Sequence, residues 1–321
     1  MKKVVAFLLL VIAAPAAIAD AHVLVYHRFE EPKHQSTYIS TQRLREHFEY
    51  FKKNGYEVVP ASRLVAAING AEPVGERWVV LAIDDGYRSF YEKALPIFRE
   101  YGYPFVLFVY VQASAEEYGD YMSFNQIKEA SKYGEIGLHA YAHPHLLRLN
   151  DKAVREDFAK GYEIFKSYLG YAPKYYAYPY GEYDERILNI AREFKFEAIF
   201  NQNTGAVAND SPLDDLDRTP VSELTPLPFA LSGDFLNAQW EVLPDFPRIS
   251  YINGVRIKTK SEAKEGKLFV SGQGGFKPVK LENGVLEYKF KKPISRYATR
   301  IILKVGHKST SKILTKDNYA K

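Results

Sequence analysis

The chain predicts an α/β fold, a parallel sheet with helices packed outside it, and three observations lead there. From residue 21 to about residue 219, short apolar runs alternate with capped amphipathic segments, the order that strand-helix-strand crossovers require. Within that region Trp78-Val79-Val80-Leu81-Ala82-Ile83 is apolar at every position, as expected of a strand buried on both faces. Beyond Thr219 the helical periodicity stops, and prolines followed by short alternating runs mark a small all-β unit. A closed barrel and an open doubly wound sheet both satisfy the alternation.

The N-terminus carries Lys2 and Lys3, an apolar run over 4–18 and small residues at Ala17, Ala19 and Ala21. These are the parts of a signal peptide over residues 1–19, with cleavage after 21 as the alternative. The run is short for a bilayer, and no other stretch is apolar enough to span, so the mature chain is expected to have no transmembrane segment. The absence of cysteine removes both disulfides and a lipid-bearing Cys after the signal. An exported protein, periplasmic or secreted, is the expectation, which argues against nucleic acid as a partner.

From there the elements follow in order. A strand over 23–26 ends at His27, and a helix over 41–54 sets Leu44, Phe48 and Phe51 on one face with Gly55 as its stop. A short strand at 58–59 and a helix over 62–68 lead to the central strand at 78–83; then come a helix over 89–101 ending at Gly102 and a buried strand over 105–111. Ser123 with Gln126 forms a capping box, 135–139 is a strand, and Asn150 caps a long helix closed by Gly170. Strands at 175–178, 198–200 and 216–219 and a helix opened by Asp184 complete the region, whose boundaries are set at 20–235.

Residues 236–321 read as a proline-rich connector and a basic β-rich domain, with strands at 255–258, 267–270 and 299–305 and a hairpin turning at Asn283-Gly284 into 285–290. From Arg248 onward there are 18 Lys and Arg against 5 Asp and Glu, a net of +13, whereas residues 20–247 carry −11. Such asymmetry points to an anionic envelope polymer or lipid surface as a partner of the tail domain, or simply to a solvated lysine-rich surface.

The chemistry sits at strand ends. Asp84 and Asp85 follow the central strand directly, and two adjacent carboxylates stay ionised only where something cationic compensates one of them. His139 and His143 leave the 135–139 strand at a chelating spacing; Pro144 keeps His143 out of the right-handed helical region, so the pair belongs to a turn. Tyr178-Pro179-Tyr180-Gly181 follows a third strand, and the C-terminal ends of parallel strands are where α/β folds bind ligands.

Ala82-Ile83-Asp84-Asp85-Gly86, the segment 139–144 and Ala177-Tyr178-Pro179-Tyr180-Gly181 resemble, in order and spacing, the three motifs of the polysaccharide deacetylases, carbohydrate esterase family four. The resemblance covers roughly the first two thirds of the chain. Val25-Tyr26-His27-Arg28 and the form of the third motif are similar to the branch acting on poly-β-1,6-N-acetylglucosamine. It implies a distorted (β/α) barrel of about seven parallel strands and removal of N-acetyl groups from an N-acetylglucosamine-containing polysaccharide. It implies Asp85, His139 and His143 as ligands of a divalent transition metal, most simply zinc, Asp84 as general base, and Pro179 with the Tyr180 N–H at the oxyanion position.

Two family features are missing. The third-motif arginine is replaced by Ala177, and no histidine stands between His145 and His307 to serve as the late acid. Both losses occur in the poly-N-acetylglucosamine branch. His27 is the candidate acid, with His145 as a second candidate or a surface residue, and Arg218 either replaces the lost arginine or forms a surface salt bridge. Tyr87, Tyr141 and Tyr183 are candidates for stacking on sugar rings. The alternatives are the same chemistry on peptidoglycan or chitin-like chains, or a catalytically silent glycan-binding protein.

Overall fold

The structure is a computed structural model that describes residues 20–242, 252–294 and 297–315. Residues 1–19, read as a signal peptide, lie outside the described residues. Eight parallel strands form the first sheet: β1 (His22–Tyr26), β2 (Glu57–Val58), β3 (Trp78–Ile83), β4 (Val106–Val109), β5 (Glu135–Leu138), β6 (Tyr175–Ala177), β7 (Ala198–Phe200) and β8 (Thr219–Pro220). Seven of them run in the order β8-β1-β3-β4-β5-β6-β7, and β2 pairs with the first half of β3. The segment after β7 closes the ring: Ile199 N–H donates to Leu213 O, Asn201 N–H to Leu216 O, and Thr219 then pairs with Leu24 of β1. The result is a distorted barrel.

Burial on both faces of β3 follows from this closure. Val79, Leu81 and Ile83 pack under the helices with Phe48 and Phe98, while Val80 and Ala82 point into the barrel with Phe108 and Phe200. The helices α1 (Thr41–Lys53), α2 (Ala61–Ile68), α3 (Leu95–Tyr101), α4 (Phe124–Ala130), α5 (Asp151–Leu169) and α6 (Glu185–Glu193) lie outside. Ser123 and Gln126 make both bonds of the capping box, and Asn150 and Asp184 cap α5 and α6. Gly137 on β5 is a packing requirement, since a Cβ there would come within 2.6 Å of the Phe108 ring.

Two strands differ from the pattern read along the chain. The apolar run from Phe105 was expected to stay extended to residue 111, but β4 stops at Val109 and Val111–Ala115 turns into a short helix. The backbone there bonds to the loop after β5, Val111 N–H to Ala140 O and Gln112 N–H to Tyr141 O. The expected strand at 216–219 is split: Leu216 bridges Phe200 of β7 and Thr219 joins β1, leaving Asp217 and Arg218 at the crossing.

The C-terminal unit is a two-sheet sandwich. One sheet orders β9 (Asp234–Phe235), β16 (Lys308–Thr315), β15 (Ala298–Val305), β12 (Glu265–Val270) and β13 (Lys277–Lys280); the other holds β10 (Ala238–Val242), β11 (Ile252–Thr259) and β14 (Val285–Ile294). Val255, Ile257, Leu268, Leu286, Ile301 and Leu303 form its core. Asn283 and Gly284 both have positive φ, 50° and 77°, as a tight hairpin turn demands. Residues 238–242, read as connector, are therefore a strand of this unit, as are 234–235, placed at the end of the preceding region, and the polar run at β16 hid a strand that pairs with β15 along its whole length. Among the described residues, no helix is long and apolar enough to cross a membrane.

Candidate active site

The ends of β3, β5 and β6 meet at a cleft of about 810 Å³ lined by Asp84, Asp85, His139, His143, Tyr180 and His27, among others. Backbone strain is concentrated there. Among the described residues nine non-glycine residues have positive φ, and Asp85, Ala140, His143 and Tyr180 are four of them. Conformations that disfavour an L-residue persist only where the surroundings over-determine them. Pro144 does keep His143 out of the right-handed helical region, and the residue settles at φ 52°.

Asp85 Oδ1 lies 3.1 Å from His143 Nε2 and 3.4 Å from His139 Nε2, and the two Nε2 atoms are 3.2 Å apart. A tetrahedral ion with bonds of roughly 2.0–2.1 Å needs ligand atoms about 3.3 Å apart, so the donor set and its spacing suit a metal. His139 Nδ1 is 2.8 Å from the Ala177 carbonyl oxygen, which fixes the N–H on that side and turns the Nε2 lone pair inward. Asp157, on the apolar face of α5, accepts from the N–H groups of Tyr141 (3.0 Å) and Ala142 (2.9 Å) and braces the loop between the histidines. Burial pushes the Asp85 pKa up, but the two imidazoles outweigh it and hold the carboxyl well below the ordinary range.

Asp84 is buried to 1% exposure beside this group. Arg218, wholly buried, donates Nη1 to Asp84 Oδ1 at 2.6 Å and Nη2 to Oδ2 at 3.0 Å. Arg218 thus forms a buried bidentate pair, not a surface salt bridge, and holds the Asp84 carboxylate in place. Burial alone would raise the Asp84 pKa; Arg218, His139 and His27 together bring it below the ordinary value, so the carboxylate is ionised at neutral pH.

His27 Nε2 lies 3.9 Å from Asp84 Oδ2 and 3.4 Å from the Gln202 side-chain amide. Burial lowers its pKa against the pull of the two aspartates. His145 is not a free surface residue: its Nδ1 lies 2.8 Å from Glu182 Oε2 and 3.2 Å from the hydroxyl of Tyr297, and its ring stacks on Tyr180 at 4.2 Å. Tyr87 lines the cleft with Tyr110 and Tyr121, whereas Tyr141 lies outside it and Tyr183 is buried against Tyr178 and bonded to Asp215. Pro179 is buried behind the exposed ring of Tyr180.

Sequence reasoning missed Asp157, Glu182, Tyr297 and Arg300. Only Asp157 left a signal, a carboxylate on the apolar stripe of Val154, Phe158, Gly161 and Phe165.

The family model of the polysaccharide deacetylases matches residues 71–199, which contain all three strand-end motifs. The matched segment belongs to the polysaccharide deacetylase family. The deacetylase domain is similar to the poly-β-1,6-N-acetyl-D-glucosamine N-deacetylase of Escherichia coli (strain K12), 24% identical over an alignment of 241 positions that covers 61% of this chain and 36% of the relative. The chain therefore spans about a third of that relative's length. It is 32% identical over 129 residues to the peptidoglycan-N-acetylglucosamine deacetylase of Bacillus cereus, 40% of this chain and 45% of that protein. The solved structure of IcaB from Ammonifex degensii superposes with a TM-score of 0.56 at 26% identity, covering 66% of this chain and 95% of that one. His27, Arg218 and the C-terminal sandwich lie outside the matched segment 71–199.

Replacing Arg218 with Met leaves the Asp84 charge buried and unpaired, and should destabilise the fold by about 3–5 kcal/mol in urea unfolding. The Asp84→Asn/Arg218→Met double variant should recover much of that loss. A loss below about 1 kcal/mol in the single variant would show that the pair does not form.

Proposed function

We propose that the protein is an exported, metal-dependent deacetylase that removes N-acetyl groups from an N-acetylglucosamine-containing polysaccharide of the cell envelope. The observation that carries this reading is the placement of Asp84, fixed by Arg218, directly beside the closely spaced Asp85, His139 and His143 donors. A silent metal pin has no use for such a carboxylate. Export is supported by the basic and apolar pattern of residues 1–19.

Asp85, His139 and His143 would hold the ion, and two imidazoles with one carboxylate favour zinc. A divalent ion held there would supply Lewis acidity towards water and the amide carbonyl. Asp84 accepts the proton of the attacking water, with Arg218 fixing the direction of its carboxylate. The Tyr180 N–H would stabilise the developing charge on the carbonyl oxygen, with Pro179 shaping the turn. His27, neutral at rest because burial lowers its pKa, would take up the proton collected by Asp84, whose Oδ2 lies 3.9 Å away, and pass it to the nitrogen as the C–N bond breaks, so that acetate and a free amine leave. The Bacillus cereus relative supports peptidoglycan as a second substrate reading.

The basic sandwich supports an anionic envelope polymer as a further partner. Lys267, Lys280 and Lys304 line a groove of about 680 Å³ in it, with Glu265 as the acidic residue among them.

Elemental analysis should find one transition-metal ion per wild-type chain and a loss of occupancy in the Asp85→Ala, His139→Ala and His143→Ala proteins. Asp84→Asn should keep its metal and lose about 10²–10⁴-fold in acetate release; full occupancy in both histidine variants, or unchanged turnover of Asp84→Asn, refutes these roles. His27→Ala should lose far more activity on acetamides than on p-nitrophenyl acetate, whose leaving group needs no proton; equal losses, or a larger acetamide defect in His145→Ala, remove His27 from the role. The mature protein should sediment with envelope fractions at low ionic strength and be released as salt rises. Binding that persists in high salt, or survives in Lys267→Glu/Lys280→Glu, rules out the lysine groove as the cause.

A further inference from the structure

The C-terminal sandwich forms a second wall of the catalytic cleft. Tyr297, Thr299 and Arg300 line it opposite the strand-end motifs. Arg300 is anchored through Nη1, which donates to the backbone carbonyl of Gln202 (2.7 Å) and to Thr204 Oγ1 (2.8 Å). Both acceptors are neutral. Among the described residues no carboxylate forms an ion pair with this guanidinium; Asp217 acts on it only at a distance, and burial with the nearby Asp215 pushes Asp217 up to about 7. Among the described residues Nε and Nη2 have no hydrogen-bond partner, and neither is sealed from solvent. Partial burial brings its pKa down to about 10 against the weaker pull of Asp217.

Docking to the barrel accounts for one nitrogen of Arg300 and leaves the other two unexplained. Nε–H and the adjacent Nη2–H lie along one edge of the planar group, the fork that fits both oxygens of a carboxylate. We propose that Arg300 binds a carboxylate carried by the glycan in the cleft, so that the polysaccharide accepted is an acidic, N-acetylated one. This rests on the deacetylase reading above and names the class of its substrate. Recognition comes from the appended domain, while the barrel supplies the chemistry.

The test uses the full-length, metal-loaded protein and two series of N-acetylglucosamine oligosaccharides, one bearing uronate and one bearing lactyl carboxylates, each also prepared with the carboxylates methyl-esterified. Calorimetry reads binding and acetate release reads turnover. The wild type should bind the free acids of at least one series about tenfold or more tighter than their esters. Arg300→Met should bring that ratio close to one, and Arg300→Lys should keep part of it. Thermal unfolding of each variant shows whether the domain interface survives. A wild type without preference in either series overturns the proposal, as does a preference unchanged in Arg300→Met. Selective binding without acetate release would instead overturn the deacetylase reading and leave the Arg300 site standing; equal release from acids and esters would do the reverse.

Discussion

Two carboxylates stand side by side at the end of a strand that is buried along its whole length, and the surroundings of the cleft are arranged to keep both of them charged. The two are compensated separately. Asp84 receives both terminal nitrogens of Arg218, while Asp85 faces the Nε2 atoms of His139 and His143. Because Arg218 is committed to one aspartate, the other is left to the imidazoles. That division gives two like side chains different chemical environments within one dipeptide.

Holding this arrangement needs rigid loops. Asp85, Ala140, His143 and Tyr180 adopt left-handed backbone conformations, and each loop is tied down by its neighbours. The chain after β4 turns into a short helix whose N–H groups bond Ala140 and Tyr141, and Asp157 bonds Tyr141 and Ala142 from below. Gly161 lets α5 approach closely enough for this, since a Cβ there would lie 3.0 Å from the Tyr141 nitrogen. Packing of an outer helix is thereby coupled to the spacing of the two histidines.

The charge asymmetry between the two units has a use inside the molecule. Lys312 reaches Tyr183 and lies 3.7 Å from Asp215, and Ile313 N–H donates to Asn203 on the barrel side. Phe235 N–H donates to Asp20, and the Tyr297 hydroxyl joins His145 and Glu182 at the cleft rim. Part of the basic excess therefore faces acidic groups of the barrel, while Lys267 and Lys280 line a separate groove. The sandwich is an integral part of the cleft wall and cannot be treated as a separate appendage.

The alternation of strands and helices, the caps at Ser123, Asn150 and Asp184, and the hairpin at Asn283-Gly284 were all legible in the sequence because each is written within a few residues of itself. So were the three strand-end motifs: Asp84 and Asp85 are adjacent, and His139 and His143 share one loop, so local spacing already limits where their side chains can go. What the tertiary structure decided depends on long-range closure. Arg218 reaches Asp84 only because the segment after β7 crosses to β1 with that residue at the crossing, and no local pattern distinguishes it from a surface arginine. His145 moved from the surface to the rim because Glu182 and Tyr297 converge on it from two other parts of the chain. Arg300 enters the cleft through the docking of one domain on another, and that docking is set by the shape and charge of two finished surfaces, which no local stretch of sequence contains.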